Sequence, residues 1–163
     1  MQILRLSACK FLTDSSLDAL YKEGALPALR ELDLSYSSIG QSAILGLLAC
    51  CTNLVNMNLN GCANMHDLVW DSSDCHSSDM IVDMYPSNSV SVGNEDQVFG
   101  KTQHLLEILN CIGCPNIKKV VITSSACCFH LSRLNLNLSA NLKEVDLACF
   151  NLSSLNLRLV SCH

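Results

Sequence analysis

Large aliphatic residues recur along the chain in one short pattern. Read from Met1, Leu29 and Leu54, the strings MQILRLSAC, LRELDLSYS and LVNMNLNGC share the form L-x-x-L-x-L-x-x-C/S, at steps of 28 and 25 residues. The alternating end of that form predicts a short β-strand, with the aliphatics inward and the x positions toward solvent. A strand this short cannot bury its face alone, but copies stacked side by side can. Between the first strands the period becomes helical. Thr13 is an N-cap candidate, Leu17, Leu20 and Tyr21 follow at helical spacing, and Gly24 and Pro27 end the helix. The next connection places Ile44, Leu47 and Leu48 on one face after Ile39 and Gly40.

The pattern then stops and returns with a different beat. No leucine occurs between Leu68 and Leu105, and residues 67–100 hold seven acids and no Lys or Arg. Asp67, Asp71, Asp74, Asp79, Asp83, Glu95 and Asp96 lie there among Ser, Asn and Gly, without alternation or helical period. This predicts a flexible, disordered acidic insertion over 67–103, with Trp70, Met80, Ile81, Met84 and Tyr85 able to dock locally. Beyond it the motif starts at Leu106, Ile117, Leu131, Leu142 and Leu152, at steps of 11, 14, 11 and 10. Such steps are too short for a full repeat of about 20–29 residues. Taken alternately they predict turns with a short strand on each side and no room for a helix. The spacing leaves open which set continues the first sheet; 106, 131 and 152 are preferred. Cysteine precedes the first motif position by three residues in CTNL, CPNI, CFHL and CFNL, and Cys9 and Cys62 close the motif, so six of the eleven cysteines occupy repeat positions.

The expected fold is therefore an α/β leucine-rich-repeat solenoid, a horseshoe segment. Residues 1–66 carry convex helices, 67–103 the insertion, and 104–163 repeats made mostly of strand and turn. The chain is 49% hydrophobic but only 5% aromatic, which suits thin aliphatic layers and excludes wholesale disorder. Its formal charge of −5 argues against general nucleic-acid binding. The charge belongs to the insertion, since ten basic and eight acidic residues lie outside residues 67–100. No apolar run reaches the roughly 18 residues of a membrane span. Arg5 and Lys10 interrupt the N-terminal apolar stretch, which makes it a poor signal-peptide core. An intracellular protein, nuclear or cytoplasmic, with reduced cysteines is expected.

CTNLVNMNLNGC resembles the cysteine-containing leucine-rich repeat of F-box proteins, and FLTDSSLDALYKEGALPALRELDLSYSSI matches that class's strand–turn–helix unit. SSIGQSAILGLLACCTNLVNMNLNGCANMHDL, the acidic insertion, LNCIGCPNIKKVVI and HLSRLNLNLSANLKEVDLACFNLSSLNL together are similar to the C-terminal repeats of plant F-box/leucine-rich-repeat proteins. The resemblance implies substrate recognition for an SCF-type (Skp–cullin–F-box) ubiquitin ligase, without chemistry of its own. The F-box that docks such proteins to adaptor and cullin has no counterpart here, and neither end carries a polar cap. A fragment is expected, one that aggregates or depends on flanking repeats.

Other chemistry is weighed against this reading. Cys111-Ile-Gly-Cys114 could be half a zinc site or a redox pair, but no second ligand pair follows at matching spacing, and Pro115 leads into a strand rather than a helix. His66, His76, His104, His130 and His163 share no context with a nucleophile and an orienting acid. Ser72, Ser73, Ser77 and Ser78 sit among acids, where phosphorylation would add charge. Catalytic residues, metal and cofactor are all expected to be absent. The remaining functional surface is the outward face of the strands: Arg5, Glu31, Asp33, Asn56, Asn58, Arg133, Asn135, Ser154 and Asn156. A protein substrate on this concave face is the expected partner, with no nucleic acid or membrane. The alternative is an interaction module of a leucine-rich-repeat protein unrelated to ubiquitination. Asn60, Asn137 and Asn141 are expected to satisfy backbone groups in turns instead.

Overall fold

Strands form wherever the L-x-x-L-x-L motif occurs, because alternation gives each three- or four-residue segment one apolar side. The computed structural model describes residues 1–22, 26–70, 104–123 and 128–158. In chain order the elements are β1 (Ile3–Arg5), α1 (Asp14–Lys22), β2 (Glu31–Asp33), α2 (Gln41–Cys50), β3 (Asn56–Asn58), β4 (Leu68–Trp70), β5 (Ile108–Asn110), β6 (Lys119–Ile122), β7 (Arg133–Asn135), β8 (Glu144–Leu147) and β9 (Ser154–Asn156).

All described strand pairs are parallel, and they make two sheets. The first has six strands in the order β1-β2-β3-β5-β7-β9, the second three in the order β4-β6-β8. The motifs at 106, 131 and 152 therefore continue the first sheet, and those at 117 and 142 supply the second. The second sheet begins earlier than expected. Met65, Leu68 and Trp70 repeat the motif eleven residues after Leu54, the same offset that separates 106 from 117 and 131 from 142. The first residues of the segment assigned to the insertion are thus built into a strand, and Asp67 Oδ1 accepts the backbone N–H groups of Lys118 (3.0 Å) and Lys119 (2.9 Å). The insertion's remaining residues, 71–103, lie outside the described residues, as do the four serines named above.

Inward residues of both sheets join one apolar cluster. Leu32, Met57, Leu109 and Leu134 stack at successive strand centres, each no more than 2% exposed. Leu4 and Leu155 hold the same position in the end strands and are only partly covered, because each has a neighbour on one side alone.

The helices fall where the first two repeats leave room for them. Leu17 of α1 and Ala43, Ile44 and Leu47 of α2 are buried where the two helices pack together. The glycine at the N-cap of α2 offers no side-chain oxygen to the helix's free N–H groups. Asp14, at the start of α1, supplies one from the neighbouring turn: its Oδ1 accepts the Gly40 N–H, and its Oδ2 accepts the Ser42 hydroxyl at 2.8 Å. A Cβ at position 40 would collide with that carboxylate. Beyond residue 104 the described residues are mostly strand and turn, with Cys128 in a helical turn.

Polar side chains tie each turn to the one before. Asn53, Asn64, Asn116, Asn141 and Asn151 each directly precede a motif. Their amide nitrogens donate to the carbonyls of Pro27, Ser38, Ala63, Pro115 and Phe129. The small residue closing the motif does the same. Cys62 Sγ donates to Leu34 O (3.2 Å), Cys114 Sγ to Leu59 O (3.1 Å), and Ser139 Oγ to Cys111 O (3.4 Å). Among the cysteines that precede motifs, Cys51 and Cys128 are buried, while Cys149 is half-buried and its thiol is pushed up to about 12 by burial and by the neighbouring Cys128. Asn60 Oδ1 accepts the Ile112 N–H at 2.8 Å and Asn137 Oδ1 the Arg158 N–H at 2.8 Å, so Asn60, Asn137 and Asn141 all serve the backbone as expected. Asn60→Ala should cost about 1–2 kcal/mol, because it leaves a partly buried N–H without its acceptor. Urea denaturation of the variant would check this, and an unchanged midpoint would refute it.

Candidate interaction face

The parallel register brings all nine expected contact residues onto one side of the six-stranded sheet, in two rows. Ile3, Glu31, Asn56, Ile108, Arg133 and Ser154 pair in succession across the first row. Arg5, Asp33, Asn58, Asn110, Asn135 and Asn156 form the second. With neighbouring strands about 4.8 Å apart, six strands span about 24 Å. Ile108 and Asn110 at the centre were missed by the sequence reading, although Leu106-Glu-Ile-Leu-Asn110 carries the same outward positions as every other motif.

The second row is partly engaged with its own turns. Asp33 Oδ1 accepts from the Ser35 amide (2.9 Å) and hydroxyl (2.6 Å). Asn58 Oδ1 and Asn135 Oδ1 accept the amides of Asn60 and Asn137, both at 3.2 Å. These bonds turn the carbonyl end of each Asn toward the backbone, and among the described residues the amide nitrogens of Asn58 and Asn135 have no partner. The row thus offers donors to solvent from β3 and β7, on either side of β5. In the first row, the buried Oδ1 of Asn56 has no hydrogen-bond partner among the described residues. A buried acceptor left in that state costs about 1–3 kcal/mol.

Charge is uneven across the face. From β3 to β9 it carries Arg133 and no acid, while Glu31 and Asp33 lie together on β2. Arg5 reaches Glu31 at 3.5 Å, but both side chains are well exposed, so the pair adds little stability. A second cross-strand ion pair, Lys119 to Glu144 at 2.8 Å, lies on the three-stranded sheet, where the carboxylate holds the lysine above its usual pKa. Shortly before β5, burial lowers the pKa of the His104 imidazole.

After β1, β2, β3, β5 and β7 the chain turns through one residue in the left-handed region: Ala8, Tyr36, Gly61, Gly113 and Leu138, with φ between +55° and +66°. Tyr36 and Leu138 are exposed there, so two large apolar side chains flank the second row in a conformation that disfavours them. Among the described residues no group of three or more His, Cys, Asp or Glu could hold a metal ion, and no helix is long and apolar enough to cross a membrane.

The face has the form that stacked repeats use for binding other proteins: parallel short strands whose outward side chains make one extended polar surface. Residues 1–97, more than half of the chain, match the family described as FBD-associated F-box protein At5g56370, LRR repeats. Matching sequence, repeated strands and registered rows agree, and the chain belongs to this F-box-associated family of leucine-rich repeats.

Proposed function

We propose that the chain is a segment of a plant F-box leucine-rich-repeat protein of the kind represented by F-box/LRR-repeat protein 15, and that it holds protein substrates for an SCF-type ubiquitin ligase. In this reading the strands line the concave side of a solenoid, and the acidic insertion leaves the repeats after Trp70. The ligase adaptor and cullin are reached through an F-box outside these repeats. The observation that supports substrate binding most directly is the registered outward face, on which the side-chain nitrogens of Asn58 and Asn135 have no partner among the described residues. Their role would be to donate to a bound polypeptide. The mechanism is proximity: affinity for the target holds it near the ubiquitin-charged enzyme, and no bond changes on this chain.

Photo-crosslinking in the full-length parent protein tests the reading. A crosslinker at Asn58 or Asn135 should capture a protein that one at Leu45, exposed on α2, does not. Arg133→Glu should weaken that capture about tenfold or more and lengthen the captured protein's half-life in cells. Equal capture from Leu45, or an unchanged half-life, would count against substrate recognition. Deleting the repeats should leave the adaptor bound, and its loss would contradict the division of labour.

A further inference from the structure

Opposite charges stand apart on the six-stranded face. Glu31 and Asp33 lie on β2 and Arg133 on β7, while the outward positions of β3 and β5 between them hold Asn56, Asn58, Ile108 and Asn110. Arg5 reaches Glu31, so β1 and β2 together keep a net negative charge. Arg133 is exposed and makes no ion pair among the described residues. Its neighbours in the first row, Ile108 and Ser154, are uncharged. Two residues on, Asn135 turns its Oδ1 to the Asn137 amide, and its side-chain nitrogen has no partner among the described residues. A guanidinium with an amide donor on the same side of the strand suits a carboxylate, which accepts from both.

The turns mark the same two strands. The left-handed residue is Ala8 after β1, Gly61 after β3 and Gly113 after β5, but Tyr36 after β2 and Leu138 after β7. Tyr36 is 66% exposed and Leu138 50%. Each charged strand therefore ends beside a large apolar side chain, held in a conformation that glycine adopts more readily. A segment lying across the rows would cover both.

Strand spacing turns the charge separation into a length. In the sheet order, β2 and β7 are three strand steps apart. At about 4.8 Å per step that is about 14 Å, which an extended polypeptide crossing the strands covers in about four residues. Positions i and i+4 of an extended chain point to the same side, so both can face the sheet, whereas i and i+3 or i and i+5 cannot. We propose that the six-stranded face takes an extended polypeptide segment with an acidic and a basic side chain at i and i+4, the acid on Arg133 and the base on Glu31 and Asp33. A phosphate backbone would meet the two acids with like charge, so a segment bearing both signs is the better match. This selectivity rests on the substrate-binding reading above and adds which part of a substrate the face holds.

Fluorescence anisotropy with the full chain and labelled decapeptides tests it. The peptides carry one Glu and one Lys in a Ser/Thr background, at separations from i+2 to i+6 and in both orders. In one order, the i+4 peptide should bind about tenfold or more tightly than its i+3 and i+5 counterparts. Arg133→Glu should remove that preference, and replacing the peptide's Glu with Lys should restore binding to this variant. Glu31→Lys, paired with a peptide whose Lys is replaced by Glu, provides the same test at the other end should the first variant not fold. Equal affinity at every separation would overturn the proposal, as would no binding of any peptide at millimolar concentration. So would an Arg133→Glu variant that binds the original peptide unchanged, or one of wild-type circular dichroism that the reversed peptide does not rescue. The crosslinking test fails separately. A protein captured at Asn135 with no preferred peptide separation leaves substrate recognition standing without this rule; a preferred separation with no captured protein leaves the rule standing without the ligase.

Discussion

Leu109→Ala should lower the stability of the chain by about 3 kcal/mol, within the range for truncating a fully buried leucine. Leu109 is 0% exposed and centres β5, with Met57 and Leu134 directly beside it in the neighbouring strands. Both neighbours are held in register by backbone bonds, so little collapse into the cavity is possible, and the cost should stay near that value. Its neighbour in sequence makes the contrast. Ile108 points to the opposite, solvent-facing side and is only partly buried, so Ile108→Ala should cost less than about 1 kcal/mol. Urea midpoints at an unchanged slope would measure both. Equal losses at the two positions would mean that the strand's inward and outward sides have been misassigned.

Gly61→Ala should cost about 2 kcal/mol and Gly113→Ala about 1 kcal/mol, although the backbone is nearly the same at both sites. Gly61 has φ +65° and Gly113 +66°, so the left-handed strain imposed on an L-residue is common to the pair. What differs is the space. A Cβ on Gly61 would overlap Cδ1 and Cε1 of the Tyr36 ring, whereas one on Gly113 meets nothing within 4 Å. The excess at Gly61 should disappear in a Tyr36→Gly background, which removes the ring and relieves the strain of the tyrosine's own left-handed backbone. If Gly61→Ala costs the same with and without Tyr36, then the ring does not pack over the glycine in solution.

The repeating strand, its inward leucines and its outward polar positions are all present in the order of residues. Alternation is a local property, and a side chain's face in a strand follows from its parity alone. That is why Arg5, Glu31, Asp33, Asn56, Asn58, Arg133, Asn135, Ser154 and Asn156 could be named from the motif and then found in two straight rows. The helix starting after Thr13 follows equally from spacing.

Tertiary structure decided which copies are neighbours. The motifs at 106 and 117 look alike, and nothing local distinguishes them; only the parallel pairing of Ile108 with Asn56 and of Val120 with Leu68 assigns one to each sheet. The strand at Leu68–Trp70 was hidden because methionine and tryptophan stand where leucine does elsewhere, at the edge of a polar, acidic stretch. Asp14 capping a helix 26 residues ahead, and the asparagines bonding to carbonyls one turn back, were also beyond local reading. These bonds depend on how far one turn lies from the next, and that distance is set by the stacking of the sheets rather than by any window of sequence.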